Sequence, residues 1–162
     1  MLLKDKVAVI TGGAGLNGLG FATARMMAEQ GAKVVILDLE VADPQAAAAR
    51  LGADHLGLVA NVTDKASCEA AAAQIKAKYD RIDILVNNAG ILRDKSFAKM
   101  EIADFRTVVD VHLMGAVHCC KAVWPHMNEQ KYGRILMTTS SSGLYGNFGQ
   151  SNYGAAKLAL VG

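Results

Sequence analysis

Five short apolar runs recur along the chain: Val7-Ala8-Val9-Ile10-Thr11, Lys33-Val34-Val35-Ile36-Leu37-Asp38, Leu56-Gly57-Leu58-Val59-Ala60, Ile82-Asp83-Ile84-Leu85-Val86 and Gly133-Arg134-Ile135-Leu136-Met137-Thr138-Thr139. The apolar positions are continuous rather than alternating, as in strands buried on both faces of a parallel sheet. Helix-like stretches fall between them, at Phe21 to Gln30, Pro44 to Leu51 and Ala66 to Tyr79. Phe97 to Gln130 reads as one or two helices: a capping stretch to about Phe105, then a long run through Val111, Leu113, Ala116, Ala122 and Trp124. Pro125 is expected to kink or stop that run, because proline removes a backbone donor and crowds the preceding turn. A final helical segment carries Tyr153-Gly154-Ala155-Ala156-Lys157. Strands alternating with helices predict an α/β fold, a doubly wound parallel sheet with helices on both faces, built as one domain over residues 1–162.

Composition narrows the function. The chain has 162 residues, 52% of them hydrophobic, and a net charge of +2 from 17 basic and 15 acidic side chains without long like-charge runs. A partner such as nucleic acid or a membrane surface is not expected from that balance. Cys68, Cys119 and Cys120 make no metal-ligand spacing, so core packing is their reading and no metal is expected. The N-terminus lacks a signal-peptide apolar region and no apolar run reaches spanning length, which gives a soluble, cytoplasmic expectation.

Candidate chemistry sits at the ends of the strands. Gly12-Gly13-Ala14-Gly15-Leu16-Asn17-Gly18-Leu19-Gly20 lies between the first strand and the first helix. In that context glycines let backbone approach a pyrophosphate resting on a helix N-terminus. Asp38 ends the second strand, twenty residues past Gly18, where a carboxylate can accept from ribose hydroxyls and would repel a 2′-phosphate. NAD is therefore favoured over NADP. Near the C-terminus, Tyr153 and Lys157 are four apart on a helix, which places phenol and ammonium on one face. A cation beside a phenol favours the phenolate and makes tyrosine a usable acid or base. Ser140 leaves the fifth strand at its C-terminal mouth, where open α/β sheets bind ligands. Tyr-x-x-x-Lys alone also fits two solvated side chains.

With Ser140 thirteen residues upstream, the arrangement resembles the active site of the short-chain dehydrogenase/reductase family. The Thr11-Gly12 loop and Asn87-Asn88-Ala89-Gly90 after the fourth strand carry the likeness further, across the whole chain. The Leu92-Arg93-Asp94, Val111-His112-Leu113 and Lys131-Tyr132-Gly133-Arg134-Ile135 stretches are similar to the (3R)-hydroxyacyl-CoA dehydrogenase branch found in peroxisomal multifunctional enzymes. The Gly146-Asn147-x-Gly149-Gln150-x-Asn152-Tyr153 run is shared with 3-oxoacyl-acyl-carrier-protein reductases. The resemblance implies cofactor contacts at Gly12, Asn17, Gly18, Leu19, Gly20, Asp38, Asn61, Val62, Asn88, Ala89, Gly90, Tyr153 and Lys157.

The loop is two residues longer than the family pattern, which leaves open which glycine faces the pyrophosphate. Asn61-Val62 resembles an adenine-contacting turn with asparagine in place of the usual acid; Thr63 or Asp64 alternatively caps the next helix. His112 stands where the family carries a relay asparagine in Asn-Leu-x-Gly, and it reads equally well as a helix histidine satisfied locally.

The implied reaction moves a hydride between nicotinamide and a secondary alcohol or ketone, with a 3-hydroxyacyl thioester as substrate. Ser140, Tyr153, Lys157 and His112 are the catalytic candidates. An NADPH-dependent 3-oxoacyl reductase is the alternative that Asp38 argues against. Family domains continue for a further third beyond the catalytic helix, so a catalytically silent dinucleotide-binding fragment is the other reading. The likeness also implies a homodimer or homotetramer.

Overall fold

A computed structural model describes residues 1–162. Five strands, β1 (Val7–Thr11), β2 (Lys33–Asp38), β3 (Leu56–Val59), β4 (Ile84–Asn87) and β5 (Arg134–Met137), form one sheet in the order β3-β2-β1-β4-β5. Every neighbouring pair is parallel, with Ala8 opposite Val34 on one side and Ile84 on the other. The order reverses between β1 and β4, and a crevice opens at such a switch point beyond the strands' carboxyl ends.

The continuous apolar runs are explained by what covers them. All five residues of β1 are buried, alternate ones facing opposite layers. Val7 and Val9, with Val35, Leu37 and Leu85, pack on α3 (Lys65–Tyr79) and α5 (Gly115–Glu129) through Cys68, Ala71, Ala72, Ile75, Cys119, Ala122, Val123 and Met127. Ala8, Ile10, Val34, Ile36, Ile84 and Val86 pack on α1 (Leu19–Glu29) and α2 (Pro44–Ala49). The alanines at both contacts let helices lie close to the sheet. Beneath the centre, buried Asp83 accepts from the Val7 N–H at 2.9 Å and from both sides of the Arg81 fork at 2.7 and 2.8 Å, so this charge is paired as well as buried.

One expectation is corrected. Pro125 neither stops α5 nor ends it, since the helix continues to Glu129. Pro125 lies on the exposed side, beside exposed Lys121, whose carbonyl loses its intrahelical donor where water can replace it. The Gly- and Asn-rich connection after β5 also holds a short helix, α6 (Ser141–Tyr145), before α7 (Ser151–Ala159). Between α4 (Ile102–Val109) and α5, residues Asp110–Met114 form a wide π turn rather than an ordinary helical one. No helix is long and apolar enough to cross a membrane.

Candidate active site

At the mouth of β1 the glycines divide their work. Gly12 has φ +65°, and a Cβ there would lie 2.7 Å from the Ala89 Cα. A Cβ on Gly20 would lie 2.5 Å from both the Gly12 carbonyl and the Asn88 amide nitrogen, so α1 reaches this corner only as glycine. Gly18 is the N-cap of α1 and has no side chain to satisfy the helix's first N–H groups; its own N–H donates to the Gly15 carbonyl at 2.8 Å. Gly15 faces open space. A cradle of bare backbone donors at a helix N-terminus with room above it fits an anionic diphosphate. Asn17 and Leu19 are exposed on its rim.

Asp38 closes the far side. One carboxylate oxygen accepts from the Ala14 N–H at 2.9 Å and the other from the Leu39 N–H at 2.9 Å, so the residue at the end of β2 also holds the glycine loop in place. Across the crevice, the Asn88 amide donates to the carbonyls of Thr11 and Gly12, both at 3.0 Å. The Thr11 hydroxyl accepts from the Asn88 and Ala89 N–H groups at 3.1 and 3.0 Å. These bonds tie Asn88-Ala89-Gly90 to the glycine loop. Asn87 points to β5 instead, its amide donating to the Leu136 carbonyl at 3.4 Å.

The catalytic candidates converge from three elements. Lys157 is buried in α7, donates to the Thr138 carbonyl beyond β5 and holds its ammonium 5.6 Å from the centroid of the Tyr153 ring. Burial pushes the Lys157 ammonium below its ordinary pKa. His112 comes from the π turn, where the extra backbone residue carries its ring inward. It meets Tyr153 edge to face, centroids 5.2 Å apart at 90°.

His112 Nε2 lies 2.8 Å from the carbonyl and 3.0 Å from the N–H of Ile91, so it donates to one when protonated there and accepts from the other when not. Nδ1 is buried without a partner. Burial, helped by the charge of Lys157, holds the ring below the ordinary histidine range and therefore neutral. Ser140 caps α6: its oxygen accepts from the Ser142 N–H at 3.2 Å, which leaves its own O–H free to donate.

The turn after β3 is a separate cluster. Asn61 Oδ1 accepts from the Thr63 N–H and hydroxyl at 3.0 and 2.8 Å, while Asp64, not Thr63, caps α3 by accepting from the Ala66 N–H. Asn61 therefore turns its carbonyl inward to the chain, and its amide is the group left to face a ligand. Sequence reasoning missed the two clamps on α7. The buried Asn152 amide donates to the Arg93 carbonyl at 3.1 Å, and the Gln150 amide donates to Asp94 at 2.8 Å. Their place beside Tyr153 was the only available signal. The cysteines hold no metal-ligating cluster; Cys68 and Cys119 meet at 3.7 Å between sulfurs in the core.

The family model described as short chain dehydrogenase matches residues 6–162. The chain is 46% identical over 170 residues to peroxisomal multifunctional enzyme type 2 of Drosophila melanogaster, covering 97% of this chain and 27% of that protein. It is 46% identical over 169 residues to the peroxisomal hydratase-dehydrogenase-epimerase of Saccharomyces cerevisiae, covering 98% and 19%. It is 39% identical over 162 residues to the 3-oxoacyl-acyl-carrier-protein reductase of Escherichia coli, covering 100% and 66%. The chain thus spans only part of the length of these relatives.

Proposed function

This chain belongs to the short-chain dehydrogenase family, and from that premise we propose that it is an NAD-dependent oxidoreductase acting on a secondary alcohol or ketone, with a 3-hydroxyacyl thioester as substrate. The observation that carries the reading is the buried Lys157 ammonium held over the Tyr153 ring on one face of α7. NAD, when bound, supplies the hydride-accepting nicotinamide. Tyr153 exchanges the alcohol proton, and the free Ser140 O–H donates to the substrate oxygen. Lys157 keeps positive charge beside the phenol and offers its remaining N–H groups to nicotinamide-ribose hydroxyls. His112, which can donate or accept at Nε2, stands next to Tyr153 as the continuation of the proton path.

The cofactor preference rests on the Asp38 carboxylate, already anchored to the loop that would surround the adenosine ribose. A 2′-phosphate there would meet a fixed negative charge, against the NADPH-dependent reductase reading. The thioester assignment rests on the names of the relatives, which include both a dehydrogenase and a 3-oxoacyl reductase. A cytoplasmic site and a homodimeric or homotetrameric assembly belong to the same proposal. One observation favours a silent cofactor-binding fragment instead: edge strand β5 exposes Leu136 and Met137.

A turnover assay with 3-hydroxybutyryl-CoA separates the readings. NAD reduction that exceeds NADP reduction, and is abolished by Tyr153→Phe, is the expected result. Tight NAD binding without turnover would establish the fragment reading, and preference for NADP would overturn the cofactor assignment.

A further inference from the structure

His118 has no place in the proton path, yet it is one of three groups that converge on Val62. Its Nδ1 lies 2.9 Å from the Val62 carbonyl, which fixes the proton on that nitrogen and makes His118 the donor. Cys68 in the first turn of α3 brings its sulfur to 3.7 Å from the same carbonyl. Gly115 lies under the Val62 side chain, where a Cβ would come within 2.8 Å of Cγ2. His118 and Gly115 both belong to α5, so the turn after β3 is held by a helix fifty residues further along the chain, not only by the helix it leads into.

We infer that His118 is a positioning residue for the adenine half of the cofactor, acting through the Val62 carbonyl. The inference rests on the dehydrogenase reading, which puts adenine against Asn61-Val62. Val62 is half-buried, and exposed Asn61 is bonded within its own turn and, through its N–H, to the Ser67 hydroxyl of α3 at 3.0 Å. Without the α5 anchor this short connection keeps only its local ties to Ser67 and Cys68 of α3, and the ordering that α5 no longer supplies has to come from binding. The same helix begins at the π turn that delivers His112 to Tyr153, so α5 fixes both ends of the cofactor crevice.

The test is calorimetric titration of wild type, His118→Ala, His118→Phe and His118→Asn with NAD, with AMP and with nicotinamide mononucleotide. Asparagine is the rescue variant because its amide nitrogen occupies the position of Nδ1. The Ala and Phe variants should bind NAD and AMP about three- to tenfold more weakly, the loss of one hydrogen bond. Nicotinamide mononucleotide, which lacks the adenine half, should bind unchanged, and His118→Asn should recover most of the loss. A general structural role would weaken all three ligands alike. Unchanged NAD affinity in both the Ala and Phe variants, equal losses for the mononucleotide, or no recovery by asparagine would each overturn the inference. Wild type that binds neither NAD nor AMP would instead overturn the dehydrogenase reading on which it rests.

Discussion

Gly90→Ala is the sharpest probe of the active-site packing. The backbone at Gly90 does not need glycine's conformational freedom, so the substitution acts through space alone. An added Cβ would overlap the His112 Cε1 and stand 3.0 and 3.1 Å from the two ring nitrogens. The ring is enclosed, with 4% of its surface exposed, and it is bonded at Nε2 to Ile91 and stacked edge-on to Tyr153. It can yield only by breaking those contacts. Overpacking of a tight site costs about 1–3 kcal/mol, and the loss of the Ile91 bond adds about 1 kcal/mol. A total of about 2–4 kcal/mol should lower the melting temperature by roughly 4–16 °C in a chain of this size.

The displacement should also reduce turnover, because the ring that moves is the one against Tyr153. The assay is thermal unfolding by circular dichroism with a double-mutant cycle. His112→Ala removes the obstacle, so Gly90→Ala/His112→Ala should lose less than the sum of the single losses, by about 1–2 kcal/mol. A Gly90→Ala protein as stable as wild type, or strict additivity in the cycle, would refute the reasoning.

Two further outcomes are expected. Asp38→Ala removes both the acceptor for a ribose and the hook on Ala14; calorimetry should show NAD affinity falling about tenfold or more while the preference over NADP narrows. An unchanged NAD-to-NADP ratio would remove Asp38 from the cofactor argument. The pH dependence of stability follows from His112 and His55, both held below the ordinary histidine range by burial. Once acidity reaches that range the unfolded chain binds protons that the folded chain refuses, so stability falls as pH drops from about 6.5 toward the lowered folded values. Melting temperatures measured across that window should decline in wild type and decline less in His112→Asn; equal slopes would mean that His112 does not titrate differently on folding.

The strands were legible because burial on both faces leaves continuous apolar runs, as in Val7–Thr11 and Val34–Leu37. Tyr153 and Lys157 were legible because helical spacing alone puts them on one face. The π turn at Asp110–Met114 was not, since one widened turn leaves no mark in the spacing of Val111 and Leu113. Nor was α6, whose Ser-Ser-Gly-Leu-Tyr sequence has little helical propensity and is held by its Ser140 cap. Pro125 misled because a proline's cost depends on whether the freed carbonyl meets protein or water. His118 carried no signal, because its partner is Val62 on a distant turn.

The sheet order has a consequence for how the chain comes into being. Of the five strands β1 leaves the ribosome first, yet it is the central one, and its second neighbour, β4, follows more than seventy residues later. At typical synthesis rates that interval is about 4–15 s. Throughout it, one edge of β1 stays unpaired, and the Val7 N–H waits for a carboxylate, Asp83, 76 positions downstream. Until β4 emerges the nascent chain thus offers an apolar, strand-forming segment with one open edge to whatever waits at the tunnel exit.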